Sequence, residues 1–429
     1  MRLPKLPRLL LLLLLLAAAT LARAGNDYPL VLVHGFTGWG RDELLGFKYW
    51  GGFNDLQETL NQAGYWTLTG VVGPLASNWD RACELYAYLK GGTVDYGQAH
   101  AAAHGHARYG RTFPGLYPEW GTVGKQGRIR KIHLIGHSQG GQTVRVLTAL
   151  LERGDPAEIT ATPAAKLSPL FRGGQSWVHS VTTLAAPHDG ATLATGVDKL
   201  LPFFRGSLLG FAALAGIQPD ELPYDFKLDQ WGLRRRPDEA FQAYLARVEQ
   251  SPIWQSHDIS AWDLSPDGAR ELNRRFPAQP GVYYFSWGAS ATVPLWSSHH
   301  QVPLPTMLPQ LWATALFVGA YTRDEPGRVV IDASWWENDG LVNTRSMAGP
   351  TLDSADRIIP WRGQPQPGAW NYRGVLSGWD HMDIVGIGTT REVGDWYLRL
   401  AKSLADLPPR SAPAGIEAPR HRGTEALRH

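Results

Sequence analysis

The chain is 429 residues long, 44% hydrophobic and 11% aromatic, with 41 Lys and Arg against 39 Asp and Glu. This composition belongs to a folded protein with a large core and excludes disordered and fibrous classes. The length allows two or three domains, or one large α/β unit.

Residues 1–24 read as a secretory signal peptide. Arg2, Lys5 and Arg8 precede an uncharged run from Leu9 to Leu21, and Ala22-Arg23-Ala24 supplies a small-x-small cleavage site. The apolar run is short for a bilayer span of about 20 residues, so a secreted, extracellular protein is expected and an integral membrane anchor is not. Without this segment 37 basic residues face 39 acidic ones, a net charge of −2, and no basic face suits nucleic acid. Cys83 is the sole cysteine, so no intrachain disulfide can form and stability rests on burial, ions and size.

Pro29 to His34 is a continuous apolar run of the kind found in a buried parallel strand, and Gly35-Phe36-Thr37-Gly38 follows it directly. His100, His104 and His106 then fall within seven residues, a cluster that suits a metal ion if carboxylates join it. Helical spacing puts His100 and His104 on one face, and spacing alone does not choose a ligand pair. Ile129 to Ile135 reads as a second strand, leading into Gly136-His137-Ser138-Gln139-Gly140 and then Val144, Leu147, Leu150 and Leu151 at helical intervals. Strand, G-x-S-x-G and helix together form a nucleophile elbow, with Ser138 in a tight turn that Gly136 and Gly140 leave unobstructed. In that arrangement the N–H groups of Phe36 and Gln139 form an oxyanion hole, and the helix N-terminus favours the negative charge that develops there.

Leu200 to Ile217 carries one charge, Arg205, among many apolar residues, with Pro202, Gly206, Gly210 and Gly216 interrupting it. It reads as a lid of about residues 195–220 that exposes apolar surface at a lipid interface. A serine nucleophile needs a base and an acid, ordered Ser, Asp or Glu, then His along the chain. Of the eight histidines beyond Ser138, His381 in Gly378-Trp379-Asp380-His381 comes late enough and sits in a loop. His188 is a possible lining residue that precedes any plausible acid. Asp339, in the turn Asn338-Asp339-Gly340 after the apolar run Val329 to Ile331, is a candidate acid, with Asp332, Asp353 and Asp356 competing on spacing. Residues 408–429 are rich in Pro, Arg and Ala and read as a disordered tail, leaving 25–407 as a single domain.

Taken together, Val33 to Gly40, Phe47 to Gly52, Ser77 to Cys83, Gly136 to Gln142 and Glu337 to Gly340 make the chain resemble the zinc-containing thermoalkaliphilic bacterial triacylglycerol lipases over about Asn26 to Leu407. The resemblance implies an α/β-hydrolase fold, a mostly parallel central sheet flanked by helices, with a zinc-holding insertion at about 75–125 and a helical lid. It implies Ser138 as nucleophile, His381 as general base and acid, and Asp339 as the residue that orients His381. It selects Asp80, His100, His106 and Asp258 as ligands of a structural zinc ion, with His257 an intruder beside Asp258. The family's calcium site uses a Glu two residues after the catalytic His and a later Asp-Pro pair. Here those places hold Asp383 and Gly388-Thr389, so the calcium ligand pattern is incomplete and the sequence does not decide calcium binding. The implied activity is hydrolysis of triacylglycerol esters through an acyl-serine intermediate at an oil–water interface. A broad carboxylesterase, a polyester depolymerase and a non-catalytic lipid-binding protein are the rival readings.

Overall fold

Leu30–Val33 (β1) is buried throughout, and its side chains alternate between two cores. Leu30 and Leu32 enter one hydrophobic cluster, Val31 and Val33 the other. A strand covered on both faces needs apolar residues at every position, which is why the run does not alternate with polar ones. The computed structural model describes residues 25–124, 127–195, 205–206, 209–210 and 217–409. The signal segment, nearly all of the expected tail and most of the expected lid lie outside the described residues.

After β1 come α1 (Leu56–Gln62), β2 (Thr67–Gly70), α2 (Asn78–Lys90), β3 (Gly92–Asp95), α3 (Gln98–His104) and β4 (Tyr109–Phe113). Next are β5 (Ile132–His137), α4 (Gln139–Arg153), β6 (Val178–Leu184), α5 (Phe241–Glu249), α6 (Pro266–Arg275) and β7 (Tyr283–Ser290). The remainder comprises β8 (Thr292–Pro294), β9 (Gln301–Pro303), α7 (Trp312–Val318), β10 (Arg357–Pro360), β11 (Ala369–Ser377) and α8 (Val393–Ala405). Seven strands form one sheet in the order β10-β11-β7-β6-β5-β1-β2, and every pair in it is parallel. One cluster packs α1 and α8 on this sheet through Leu56, Leu60, Tyr397 and Leu404. The other packs α2, α4 and α6 on the opposite face through Leu85, Val144, Leu147 and Leu272. This is the α/β-hydrolase arrangement, with crossover helices on both faces of a parallel sheet.

The stretch 75–125 contributes α2, α3 and the antiparallel hairpin β3–β4. Two apolar runs pair less fully than their composition suggests. The run at 129–135 begins pairing in the sheet only at Ile132, because Ile129 is drawn into a bridge with Val123. Val329 to Ile331 makes only an isolated bridge, Ile331 to Arg323, so the turn holding Asp339 does not directly follow a strand of the sheet. Among the described residues no helix is long and apolar enough to cross a membrane.

Candidate active site and metal cluster

β5 delivers Ser138 to the first turn of α4 in a backbone conformation of φ 55°, ψ −131°, a left-handed φ that costs strain in any non-glycine residue. Its surroundings hold it there. A Cβ on Gly136 would lie 2.4 Å from Gly140, and one on Gly140 would lie 2.2 Å from the Val33 carbonyl oxygen. Gly140 is therefore required by the close approach of β1 to the elbow, and Gly136 by the close approach of the first turn of α4. The Ser138 N–H donates to the Leu184 carbonyl at 2.9 Å, anchoring the turn to β6.

His381 follows β11 in a loop, and its Nδ1 donates to Asp339 Oδ2 at 2.6 Å. Asp339 Oδ1 accepts from the Leu341 and Val342 N–H groups at 3.0 and 2.8 Å, and the Asp339 carbonyl accepts from the His381 N–H at 2.8 Å. The Asp339 turn reaches this place by tertiary contact. The Ala291 N–H, just beyond the carboxyl end of β7, donates to the Asn338 carbonyl at 3.0 Å. The three competing acids are engaged elsewhere: Asp332 with Ser334, Asp353 with Arg274, and Asp356 with Ala278 and Trp370.

Two residues that sequence reading passed over join the halves of the site. His137 Nδ1 accepts from the Tyr49 hydroxyl at 2.6 Å, the Tyr49 oxygen accepts from the Gly35 N–H at 3.0 Å, and His137 Nε2 donates to the His381 carbonyl at 3.0 Å. Only the neutral Nε2–H tautomer satisfies this chain of bonds. Burial, aided by nearby His381, holds the His137 imidazole well below its ordinary pKa and so keeps it neutral. Buried Arg81 is the second. It donates from Nη2 to the His34 carbonyl at 2.5 Å, from Nη1 to the Gly73 carbonyl at 2.8 Å and from Nε to Thr143 Oγ1 at 2.8 Å, fixing the exit of β1 where Phe36 begins. Neither role can be read from the motif that contains the residue, since each acts mainly through partners remote in the chain. Gln139 is held by its side chain to the Ala76 carbonyl at 3.2 Å and Ser260 Oγ at 3.1 Å. His188 is not a lining residue: it is fully buried between Arg145 and Thr183.

Asp80, His100, His106 and Asp258 converge, with one ligand atom from each within 4.8 Å of the others. His100 Nε2 lies 3.3 Å from Asp80 Oδ1 and 3.2 Å from Asp258 Oδ1, and His106 Nε2 lies 3.1 Å from Asp258 Oδ2 and 4.0 Å from Asp80 Oδ1. Asp80 Oδ1, His100 Nε2, His106 Nε2 and Asp258 Oδ2 are all buried without hydrogen-bond partners. Four such atoms carry a large desolvation cost unless a cation joins them. The edge of a tetrahedron with ligand bonds of about 2.0–2.1 Å is about 3.3 Å, so the cluster can hold a metal ion.

Supporting contacts point the same way. His106 Nδ1 donates to the Ala107 carbonyl at 2.9 Å, leaving Nε2 as the lone-pair atom, and Gln230 Nε2 donates to Asp80 Oδ2 at 2.8 Å. Glu158 accepts from the Ala99 and His100 N–H groups at 3.1 and 2.7 Å and anchors α3. α3 ends at His104, and Gly105 in the left-handed region turns the chain so that His106 returns to the cluster while His104 stays outside it. His257 stacks flat on Trp262 with ring centroids 3.7 Å apart.

The calcium pattern does not fit. Asp383 Oδ2 accepts from the Asp380 N–H at 3.0 Å and from Arg391 Nε at 3.3 Å. Arg391 Nη2 also donates to the Gly378 carbonyl at 2.6 Å, and its guanidinium lies 5.1 Å from the Trp379 ring centroid. A side-chain cation thus ties both ends of the loop that carries His381, where the surviving carboxylate would have met a metal ion.

The sequence profile of the lipase-like C-terminal domain family matches residues 26–406. The chain belongs to this family. Among solved structures, Lipase 1 from Pelosinus fermentans is 52% identical with a TM-score of 0.83, covering 89% of this chain and 99% of that one. EstA from Clostridium botulinum is 47% identical with a TM-score of 0.84, covering 90% and 89%. Lipase 1 of Staphylococcus aureus strain Mu50 is 36% identical over 396 residues, 88% of this chain and 54% of that protein. This lipase-like domain therefore spans about half the length of the curated relatives it matches.

Proposed function

We propose that the protein is a secreted triacylglycerol lipase. Ser138 Oγ attacks the ester carbonyl carbon while His381 takes its proton, and Asp339 holds the imidazole in the tautomer that can do so. The Phe36 and Gln139 N–H groups, with the N-terminus of α4, stabilise the oxyanion. His381 returns the proton to the departing alcohol, and water then hydrolyses the acyl-serine with His381 again as base. The observation that carries the reading is the 2.6 Å Asp339–His381 hydrogen bond beside a strained serine elbow. The relatives named lipase support the substrate class.

We assign the metal as zinc, held by Asp80, His100, His106 and Asp258, where it would supply positive charge and a cross-link and no reactive water, since four protein ligands close a tetrahedral site. The apolar sequence of Leu200 to Ile217 supports its reading as the lid.

The test is labelling with a fluorophosphonate, which should modify wild-type protein at Ser138 and leave Ser138→Ala unmodified, together with rates on triolein and a dissolved short ester. Absence of labelling in folded protein refutes an acyl-serine mechanism. Turnover of the short ester without triolein points to a carboxylesterase.

A further inference from the structure

Between Arg275 and Arg323 the chain contains no Asp, Glu, Lys or Arg, although charged residues make up 19% of the whole. Much of this charge-free stretch is not core. The β8–β9 hairpin projects from the carboxyl end of β7, closed by the Leu295 N–H donating to the His300 carbonyl at 2.8 Å. Trp296 at its tip is 98% exposed, while Val293, Leu295, Trp312 and Leu316 are 42% to 48% exposed. Trp312 and Leu316 are one helical turn apart on the outer face of α7. That helix is joined to β9 by the Gln301 N–H donating to the Gly319 carbonyl at 2.9 Å.

The inner side of the same stretch meets the candidate catalytic loops. The Leu308 N–H donates to Asp380 Oδ2 at 2.8 Å, next to His381, and Met307 and Leu311 close over Gly340, next to Asp339. The exposed apolar residues therefore continue outward from the rim of the catalytic site.

We propose that the β8–β9 hairpin and the outer face of α7 dock this protein on an uncharged lipid surface, with Trp296 as the leading contact. The proposal deepens the lipase reading and rests on it. Charge matching selects this occupant: an anionic membrane or nucleic acid would be met by Lys and Arg, and this span has neither. Its only titratable heads are His299, His300 and Tyr321, together with Tyr283 and Tyr284 at its inner end. Indole is suited to the boundary, since its ring is apolar and its N–H remains hydrated. The hairpin enters lipid while the adjoining loops keep the serine, histidine and aspartate at the mouth.

The experiment is flotation of the full chain carrying Ser138→Ala with dioleoylphosphatidylcholine vesicles containing triolein. That background makes binding independent of turnover. Adding Trp296→Ser and Leu316→Ser should lower the partition coefficient about tenfold or more, given the roughly 150–250 Å² an aromatic side chain can bury. Melting temperature should not change. In the wild-type background the same two substitutions should leave the rate on a dissolved short ester unchanged within about twofold.

Trp66→Ser is the control. Trp66 is exposed just before β2, at the opposite end of the sheet, and its loss should not alter partitioning. Unchanged partitioning of the double variant overturns the proposal. So does binding that needs anionic lipid and vanishes in 0.5 M salt, or a concentration-dependent dimer that Trp296→Ser dissolves, which would make a second copy the occupant. Failure of Ser138 to label would defeat the lipase reading while leaving the flotation result to stand by itself.

Discussion

Removing the proposed zinc ion should destabilise the protein before it slows catalysis. Asp80, His100 and His106 lie in one part of the chain and Asp258 in another, so an ion held by them would close a loop of about 150 residues, for which the chain-entropy relation gives about 5 kcal/mol at 25 °C. With an unfolding entropy of about 2.1 cal/mol/K per residue over about 380 residues, that corresponds to a fall in Tm of about 6 °C. Metal-free protein also keeps Asp80 and Asp258 buried against His100 and His106, which adds to the loss.

The assay is differential scanning calorimetry of protein as purified, after dialysis against a strong zinc chelator, and after zinc is restored, with ester hydrolysis at 25 °C measured on each sample. Tm should fall and recover while the rate stays nearly constant. His106→Ala should lose the metal and show the lower Tm, whereas His104→Ala should keep both metal and Tm. Active, stable protein without zinc by elemental analysis, or metal lost from His104→Ala but retained by His106→Ala, refutes the reasoning.

Tyr49→Phe removes the acceptor of the Gly35 N–H and the donor to His137. Leaving buried groups unpaired should cost about 1–3 kcal/mol in urea unfolding, with kcat falling more than KM rises because the Phe36 loop and His381 lose a shared support. Glu84, raised to about 7 by burial and by Asp80, holds its proton more tightly in the folded chain. Its contribution to stability is fully present below about pH 4.5 and declines as pH rises through 7, by about 3 kcal/mol in all. Glu84→Gln should flatten that part of the Tm-versus-pH curve between pH 5 and 8. Arg391→Ala should shorten the half-life of activity on heating, with Arg391→Lys partly restoring it. Added calcium should restore neither variant, since one carboxylate, Asp383, is the only acidic group left for it in that loop besides buried Asp380.

Local chemistry made part of this legible in the sequence. Ser138 could be read because its glycines stand in fixed positions around it, and β1 because burial on both faces demands an unbroken apolar run. Asp339 could not be separated from its competitors by spacing, since the contact that positions it runs from Asn338 to the end of β7. The histidine pair was ambiguous for a similar reason: the choice of His106 over His104 depends on where α3 stops and on the φ of 77° at Gly105. Tyr49, His137 and Arg81 stand inside the motifs that carry the resemblance, but their roles could not be read there because the partners that define them, such as His381, Thr143 and His34, lie tens of residues away. The apolar hairpin was hidden because its sequence resembles core, and only its exposure sets it apart.

Asn26 has a consequence for how the molecule can be held. Its N–H donates to the Ala405 carbonyl at 2.7 Å, and its side chain donates to the Leu404 and Leu407 carbonyls at 2.8 and 3.0 Å. Both ends of the described domain thus meet at one point, four residues ahead of β1, whose opposite end leads into Phe36. A tether fused upstream of Asn26 or downstream of Leu407 would leave from the pole of the sheet farthest from Ser138. Immobilisation through either terminus therefore presents the same side outward, and a linker joining the two ends, with new termini opened in an exposed loop, would make a circular permutant without crossing the catalytic mouth.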